Sequence, residues 1–596
     1  MDLERRLCQG GEPWPVFSMR GIRMGLLLDL GEDIISDATG LVEDTVETIG
    51  SFLHPASVKE VDISSAVPQA TLSDLTKMTY KEVYAFYKLA GTGDSSLSNW
   101  QVVRRIDEIH TGLDARAFVN SVSHEINICF EGSHGFTKLL GENVMDGAFA
   151  KDLYKVSDGF SRFLTDAEYN TIYDKWHGIL GKDGLADLQM MSNKIPDQFY
   201  TAYQWFQDTM QAIKQNSELA GYKLVITGHS LGGSMAQMVS AKYYLDTKEA
   251  IPTMAIDGTG VLTLVEQMQG AGTKLDSKDF AHIVNFCTDG DPVGDFATQY
   301  HLGFTVPIPY DLSRGDRPDA LPNYRVFMEA FQKATGIADI RLDRHEIGQQ
   351  IDLFNNTSFS YPENGVFVED GVKEYHSASG KKEIIMANAA GDTIYGGNES
   401  SYLVGAQGND LLYGGQKDDF IAGGAGNDKI YGGAGRNILF GGAGNDYIEG
   451  GRDSDELYGG AGDDTLVWTG GSDSLYGQGG NDTYFLGKKQ DGELASGTVT
   501  LKFDRENVEN AHITIDTTAI DTENSQIVFL MSDDLLPLNT SIAQKDNSLY
   551  IQYDAHSSMT IDNWSAVQES MGSQISFNYL GDKLQYGIQN NALVKK

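Results

Sequence analysis

The feature that most constrains this chain is a run of eleven consecutive nonapeptides from Ala387 to Phe485, clearest in "GGAGNDKIY", "GGAGRNILF", "GGAGNDYIE" and "GGAGDDTLV". A fixed short period means a stacked repeat, because one such unit cannot bury its apolar face until neighbours cover it. The eighth position is apolar or aromatic throughout: Ile394, Leu403, Leu412, Ile421, Ile430, Leu439, Ile448, Leu457, Leu466, Leu475 and Tyr484. One such residue after each glycine-rich turn predicts a short strand laid on a coil. A glycine linker would not hold that phase. The block contains 26 of the chain's 67 glycines and no proline, as repeated tight turns between hydrogen-bonded strands require.

The sixth position needs a separate explanation. It is Asp at Asp392, Asp410, Asp419, Asp428, Asp446, Asp455, Asp464, Asp473 and Asp482. Stacking brings these like charges together, and Ca²⁺ between the turns would remove the repulsion by taking carboxylate and backbone carbonyl oxygens as hard ligands. In these units the chain resembles the repeats-in-toxin (RTX) family, whose nonapeptides form a calcium-loaded parallel β-roll. In a β-roll two nonapeptides make one turn, so alternate repeats stack in two columns. The first column is Asp at all of its sixth positions, from Asp392 to Asp482. The second reads Ser401, Asp419, Asn437, Asp455 and Asp473, with Lys417, Arg436, Arg452 and Asp453 in its turns. Fewer carboxylates and added cations weaken a Ca²⁺ site, so a nearly continuous ion column is expected on the first side and a gapped one on the second.

With 596 residues the chain needs several cores. Its formal charge of −39 argues against nucleic acid as a partner, since phosphate binding runs on Lys and Arg. Three cysteines (Cys8, Cys129, Cys287) exclude a disulfide framework. No apolar run reaches the length of a transmembrane span, and "MGLLLDLG" from Met24, interrupted by Asp29, does not read as a signal peptide. Residues 486–596 alternate as "TVTLKF", "HITI", "SLYIQY" and "MTIDNW" between Asn, Asp and Ser turns, which predicts a β-rich C-terminal domain. "NSLYIQYDAHSSMTIDNW" resembles the domain that closes RTX rolls. That resemblance implies a type I secretion signal near the C-terminus, and so an extracellular protein handled by type I secretion machinery. The closing "NALVKK" departs from it by ending in two lysines.

Residues 71–375 read as an α/β domain: "YKEVYAFYKLA", "INICF", "DQFYTAYQWFQDTMQAIKQ", "KLVIT", "SMAQMVSAKYY", "IPTMAI" and "HIVNFC" alternate between helical and strand patterns. The fold class expected is therefore multidomain: an α/β domain, of the α/β-hydrolase type by its Ser230 motif, then a parallel β-roll at 387–485, then the β-rich end, with residues 1–70 a helical segment covering the catalytic domain. Ser230 lies in "GHSLGG", between the strand "KLVIT" and a helix. A G-x-S-x-G match alone occurs by chance in roughly half of chains this long and glycine-rich. The strand-to-helix context makes Ser230 a nucleophile, because glycines on both sides permit a strained elbow and the helix start directs N–H groups at the reaction centre. A carboxylate and a histidine should follow in that order. Asp291, just past "HIVNFC", is the first choice, with Asp257, Asp289 and Asp295 as competitors. His345 is preferred to His282, which precedes Asp291, and to His301, which follows too closely to cross the sheet. His376 is the reserve.

At these residues the chain resembles the lipase class 3 family: "INICFEGSHG" is similar to its oxyanion strand, "KVSDGFSRF" to its following segment, "GHSLGG" to its elbow and "DPV" to its aspartate motif. The resemblance implies a triad of Ser230, Asp291 and His345 and an oxyanion hole from the backbone N–H groups of Ser133 and Leu231. Glu131 and Ser157 depart from the family's usual Arg and His. "HGFTKLLGENVMDGAF" places apolar residues at helical spacing where the family carries a lid; a core-facing helix would read the same. The function implied is a secreted, calcium-dependent carboxylic ester hydrolase acting at a lipid–water interface, a triacylglycerol lipase first and a phospholipase A1 second. A calcium-binding effector or adhesin with a hydrolase-like scaffold is the reading from another class.

Overall fold

A computed structural model describes residues 100–108, 113–130, 165–176, most of 186–310, nearly all of 364–487 and, in segments, 495–595. The N-terminal 99 residues, the lid candidate and His345 lie outside them. The catalytic part is built on a seven-stranded sheet: β1 (Trp100–Glu108), β2 (Leu113–Asn120), β3 (Glu125–Phe130), β4 (Lys223–His229), β5 (Thr253–Ile256), β6 (Ile283–Thr288) and β7 (Phe304–Ile308). The first three strands pair antiparallel and β3 to β7 pair parallel. The sheet keeps sequence order from edge to edge. Right-handed crossovers between strands in that order put every connecting helix on the same face. Of the helices α1 (Asp166–Trp176), α2 (Asp197–Gln215), α3 (Leu231–Thr247) and α4 (Leu262–Gln269), α2 and α3 fall where the alternation expected them, and α1 and α4 are additions to it. Phe206, Trp205, Met235 and Val239 from α2 and α3 pack there with Ala115, Ile128, Phe130 and Ile226 from the strands.

That leaves the second face of the sheet, and it is not polar. Phe118, Cys129, Met254, Ile256, Val284, Phe286, Phe304, Val306 and Ile308 all point to it, because side chains alternate along a strand. They are covered by the β-roll. Tyr402, Val404, Phe420, Ala422, Ile438, Phe440, Tyr458 and Tyr476 join the same buried cluster. The Phe286 and Tyr402 rings meet edge to face at 5.9 Å, and Phe304 stacks on Phe367 at 4.1 Å. Gly365 leaves room for this stack, since a methyl group there would fall 2.2 Å from the Phe304 ring.

The roll consists of two parallel sheets, here the inner sheet, against the hydrolase, and the outer sheet. Pairing runs from residue i to i+18, as in Tyr402 with Phe420 and Ile394 with Leu412, so two nonapeptides make one turn. The eighth-position residues from Ile394 to Tyr484 are all buried between the sheets. The stack extends beyond the nonapeptides at both ends. Asn364–Phe367 and Glu374–His376 pair onto its start, ahead of Ala387. Ala495–Phe503 and Ile520–Met531 extend the inner sheet, and His512–Asp516 and Ser558–Asp562 the outer one, all in parallel. The β-rich end from residue 486 thus continues the roll: Val499, Ile513, Phe529 and Met559 keep the apolar phase without glycine-rich turns, so they join the same core. Antiparallel strands then close both sheets. Among the described residues no helix is long and apolar enough to cross a membrane.

Phe304→Ala should cost about 3–5 kcal/mol, as removal of a buried aromatic does. Because Phe304 belongs to both halves, calorimetry in calcium should show the roll and the hydrolase destabilised together. Phe199→Ala, on the helical face, should leave the roll unchanged, and a roll equally unmoved by Phe304→Ala would contradict the shared core.

Candidate active site and calcium-binding edges

β4 is buried at its C-terminal end and stops at His229. Ser230 follows with φ 59° and ψ −128°, a backbone conformation that a residue with a side chain adopts only when its surroundings force it. The forcing contacts are visible. Ser230 N donates to Ile256 O on β5 at 2.9 Å, and Ser234 N donates back to Ser230 O at 3.1 Å. A methyl group on Gly228 would fall 2.1 Å from Gly232 O, so only glycine lets α3 start this close to β4. α3 is buried on every side from Leu231 to Ala241. Its first turn presents backbone N–H groups, Leu231 N among them, beside a half-buried Ser230.

Asp291 is fully buried just beyond β6, and its N–H donates to Thr288 O at 2.9 Å. Parallel strands end on one edge of the sheet, so Asp291 stands at the edge that carries Ser230. Its competitor Asp257, equally buried at the end of β5, is engaged elsewhere: its Oδ1 accepts from Thr288 N at 2.6 Å and its Oδ2 from Thr288 Oγ1 at 3.0 Å. With φ 47° it bends back to clasp the residue from which the Asp291 loop departs. This clasp was not legible in the sequence, where Asp257 reads only as a carboxylate after a strand. Asp289 is half-buried, and Asp295 lies outside the described residues.

The histidines separate. His301 is buried in the core, its ring nitrogens 3.5 Å from Cys287 Sγ and 3.4 Å from Gln237 Oε1. Gln237 lies two turns along α3 from Ser230, about 10 Å. His282 stands just before β6 rather than in it, and burial lowers its pKa to about 4. His376, the reserve base, belongs to the roll: it stacks on Tyr395 and pairs with Glu374 at the surface. His345, Ser133, Glu131 and Ser157 lie outside the described residues.

The sixth-position aspartates line two edges of the roll, all of them buried. On the outer-sheet edge each Oδ1 accepts a backbone N–H from the turn before it: Asp392 N to Asp410, Asp410 N to Asp428, Asp428 N to Asp446, Asp446 N to Asp464 and Asp464 N to Asp482, at 2.5–3.1 Å. The second oxygen is different. Oδ2 of Asp410, Asp419, Asp428, Asp446, Asp455, Asp464 and Asp473 is buried without a hydrogen-bond partner. In all of these but Asp473 it lies against a glycine: a methyl group on Gly423 would fall 2.4 Å from Asp428 Oδ2, and one on Gly441 as close to Asp446 Oδ2. A buried, unpaired carboxylate oxygen is costly, and a hard cation is the partner it suits. The residues present therefore fit Ca²⁺. Among the described residues no three His, Cys, Asp or Glu side chains converge, so an ion here would also draw on backbone carbonyls.

Burial pushes these carboxyls far up, to about 6 for Asp428, about 7 for Asp410, Asp446 and Asp482, and about 9 for Asp464. Asp419, Asp455 and Asp473 are raised for the same reason.

Residues 132–300 match the lipase (class 3) family, and six segments between 378 and 489, five of them overlapping, match the RTX calcium-binding nonapeptide repeat. The chain thus carries a class 3 lipase domain followed by RTX calcium-binding repeats in a parallel-stranded region. Among solved structures it is similar to the extracellular lipase LipA from Serratia marcescens, at 14% identity over 80% of this chain and 85% of that one, with a TM-score of 0.18. It is also similar to a mutant form of MDLA from Penicillium cyclopium (13% identity, 39% and 79% covered, TM-score 0.22) and to the Lip2 lipase from Yarrowia lipolytica (14%, 38% and 78%, 0.20). No curated protein matches the chain.

The raised carboxyls fix the sign of a pH effect. A carboxyl whose folded pKa lies above its unfolded value stabilises the fold below about 4 and loses that contribution as pH rises through the folded value. In calcium-free buffer the roll's urea midpoint should therefore fall between about pH 5 and pH 9, spanning the values above. Calcium needs the deprotonated form, so its binding near pH 7 should release protons, measurable in weakly buffered solution. A calcium-free roll that gained stability over this pH range would contradict the burial of these groups.

Proposed function

We propose that the chain is a secreted, calcium-dependent triacylglycerol lipase acting through Ser230, Asp291 and His345. The observation that carries this reading is the strained elbow at Ser230, at the start of a buried helix and inside the class 3 lipase match. A buried Asp291 at the same sheet edge supports it. In the proposed reaction Ser230 Oγ attacks the ester carbonyl carbon while His345 takes its proton and Asp291 holds the imidazole in place. The N–H groups of Leu231 and Ser133 bind the oxyanion. His345 returns the proton to the leaving alcohol, and water then hydrolyses the acyl-enzyme by the same route. The residues that would hold Ca²⁺ are Asp392, Asp410, Asp419, Asp428, Asp446, Asp455, Asp464, Asp473 and Asp482. The ion supplies charge neutralisation between turns and takes no part in ester cleavage. Export is assigned to a type I signal within 486–596, in keeping with the RTX repeats.

The test is fatty acid release from triacylglycerol and from phospholipid, with calcium and with chelator. Triacylglycerol should be cleaved faster, and a preference for phospholipid at its sn-1 ester would make the enzyme a phospholipase A1. Ser230→Ala should lower turnover by about four orders of magnitude or more. Activity that survives it would favour the scaffold reading. A fluorophosphonate should label Ser230, and His345→Ala should slow that labelling by a similar factor; labelling at the normal rate would remove His345 from the triad.

A further inference from the structure

The two edges of the roll are not chemically equivalent. On the edge that leads into the inner sheet, Ser401 and Asn437 stand where the outer edge has only aspartate. The backbone ladder passes through both: Ser401 N donates to Asp419 Oδ1 at 2.7 Å, Asp419 N to Asn437 Oδ1 at 2.9 Å and Asn437 N to Asp455 Oδ1 at 2.8 Å. Because Asn437 Oδ1 must accept from Asp419 N, its Nδ2 is fixed in the other position, the one that Oδ2 occupies in an aspartate. The glycines confirm the equivalence. A methyl group on Gly414 would meet Asp419 Oδ2 at 2.7 Å, and one on Gly432 would meet Asn437 Nδ2 at 2.8 Å.

The chemistry at that position is inverted. Asn437 Nδ2 donates to Gly435 O of its own turn at 3.2 Å. Ser401 Oγ likewise has two turn carbonyls as acceptors for its one proton, Glu399 O at 3.2 Å and Gly396 O at 3.4 Å. Backbone carbonyls of the turn, the oxygens a calcium ion would share with the carboxylate, are here satisfied by a neutral side-chain donor. The charges nearby are also committed. Gly435 N binds Asp453 Oδ2 at 2.9 Å, and the Arg436 guanidinium lies 3.7 Å from Asp418.

We propose that Ser401 and Asn437 are calcium-free staples, turns that close by their own hydrogen bonds where the others need an ion. Asp419 is thereby isolated between two staples, and the inner edge holds fewer ions than the outer one. The placement is directed. Ser401 leads into Tyr402 and Asn437 into Ile438, both of which pack on the hydrolase sheet. When calcium falls, the outer edge loses its cross-links first, and the turns holding the hydrolase-facing strands keep theirs. This inference rests on the calcium reading of the aspartates.

The test counts calcium bound per full-length chain, by metal analysis after gel filtration in calcium, for the wild type, Asn437→Asp and Asn437→Ala. Asn437→Asp replaces the donor with a carboxylate and should raise the count by about one ion. It should also shift the calcium midpoint of the far-UV circular dichroism to higher concentration, because a staple has become calcium-dependent. Asn437→Ala should leave the count unchanged while lowering the stability of the calcium-free chain. A lower count for Asn437→Ala would make the asparagine a ligand and overturn the proposal, as would an unchanged count for Asn437→Asp. If Asn437→Asp does not fold, the alanine variant decides alone. A wild type that binds no calcium would instead remove the calcium reading itself.

Discussion

A buried carboxylate with one oxygen lacking a partner is the constraint on which the rest of the molecule depends. In the roll it recurs in register, turn above turn, at the spacing of adjacent strands, about 4.8 Å. At that distance two carboxylates near a protein surface repel by a few kcal/mol, and the chain stacks six of them on one edge. At Asp410, Asp428, Asp446 and Asp464 a backbone N–H takes one oxygen and leaves the other facing a bare glycine. Only a proton or a cation completes the arrangement. Near neutral pH, outside a cell, millimolar calcium is the available partner, so the roll is a structure whose fold is a function of its solution.

The catalytic sheet inherits that condition through its topology. Strands in unbroken sequence order collect all their crossover helices on one face, and the other face must find a cover from elsewhere in the chain. The inner sheet supplies it, with Phe304 on Phe367 and Phe286 on Tyr402 at the seam. Ser230 is held in its strained geometry by a hydrogen bond to β5 and by a helix buried on all sides, and β5 contributes Met254 and Ile256 to that same seam. The elbow thus rests on a sheet sandwiched between helices and the roll.

Much of this was legible because the signals are periodic. The nonapeptide phase marked the buried eighth positions and the recurring aspartates, which depend only on spacing, and the resemblance to RTX rolls supplied their division into two columns. The elbow was legible because a strand pattern, a glycine pair and a helix pattern adjoin Ser230. What stayed hidden depends on contacts distant in sequence. Nothing local to Gly365 announces that a phenylalanine some sixty residues earlier needs its space. His376 reads as a plausible base until its strand is seen to pair with the roll. The roll's extension to Asn364 and past Phe485 was missed because stacking needs the apolar phase, and the glycine-rich turn is only its most visible accompaniment. Ser401 and Asn437 read as lost carboxylates; their donors are visible only with the carbonyls they face.

The stacked rings of Phe304 and Phe367 have an evolutionary consequence. Multidomain proteins are commonly assembled by exchange of parts that meet through polar, replaceable surfaces, and a roll attached in that way could be traded between enzymes. Here the seam is the interior of both parts. A duplication that inserted one extra pair of nonapeptides ahead of Tyr402 would slide every inner-sheet aromatic by one strand relative to Phe286 and Phe304. The number of repeats is therefore not free to drift as repeat arrays usually do. Expansion is tolerated only beyond the last strand that touches the hydrolase, and the lineage of such a protein should show a fixed count on the docked stretch and variation past it.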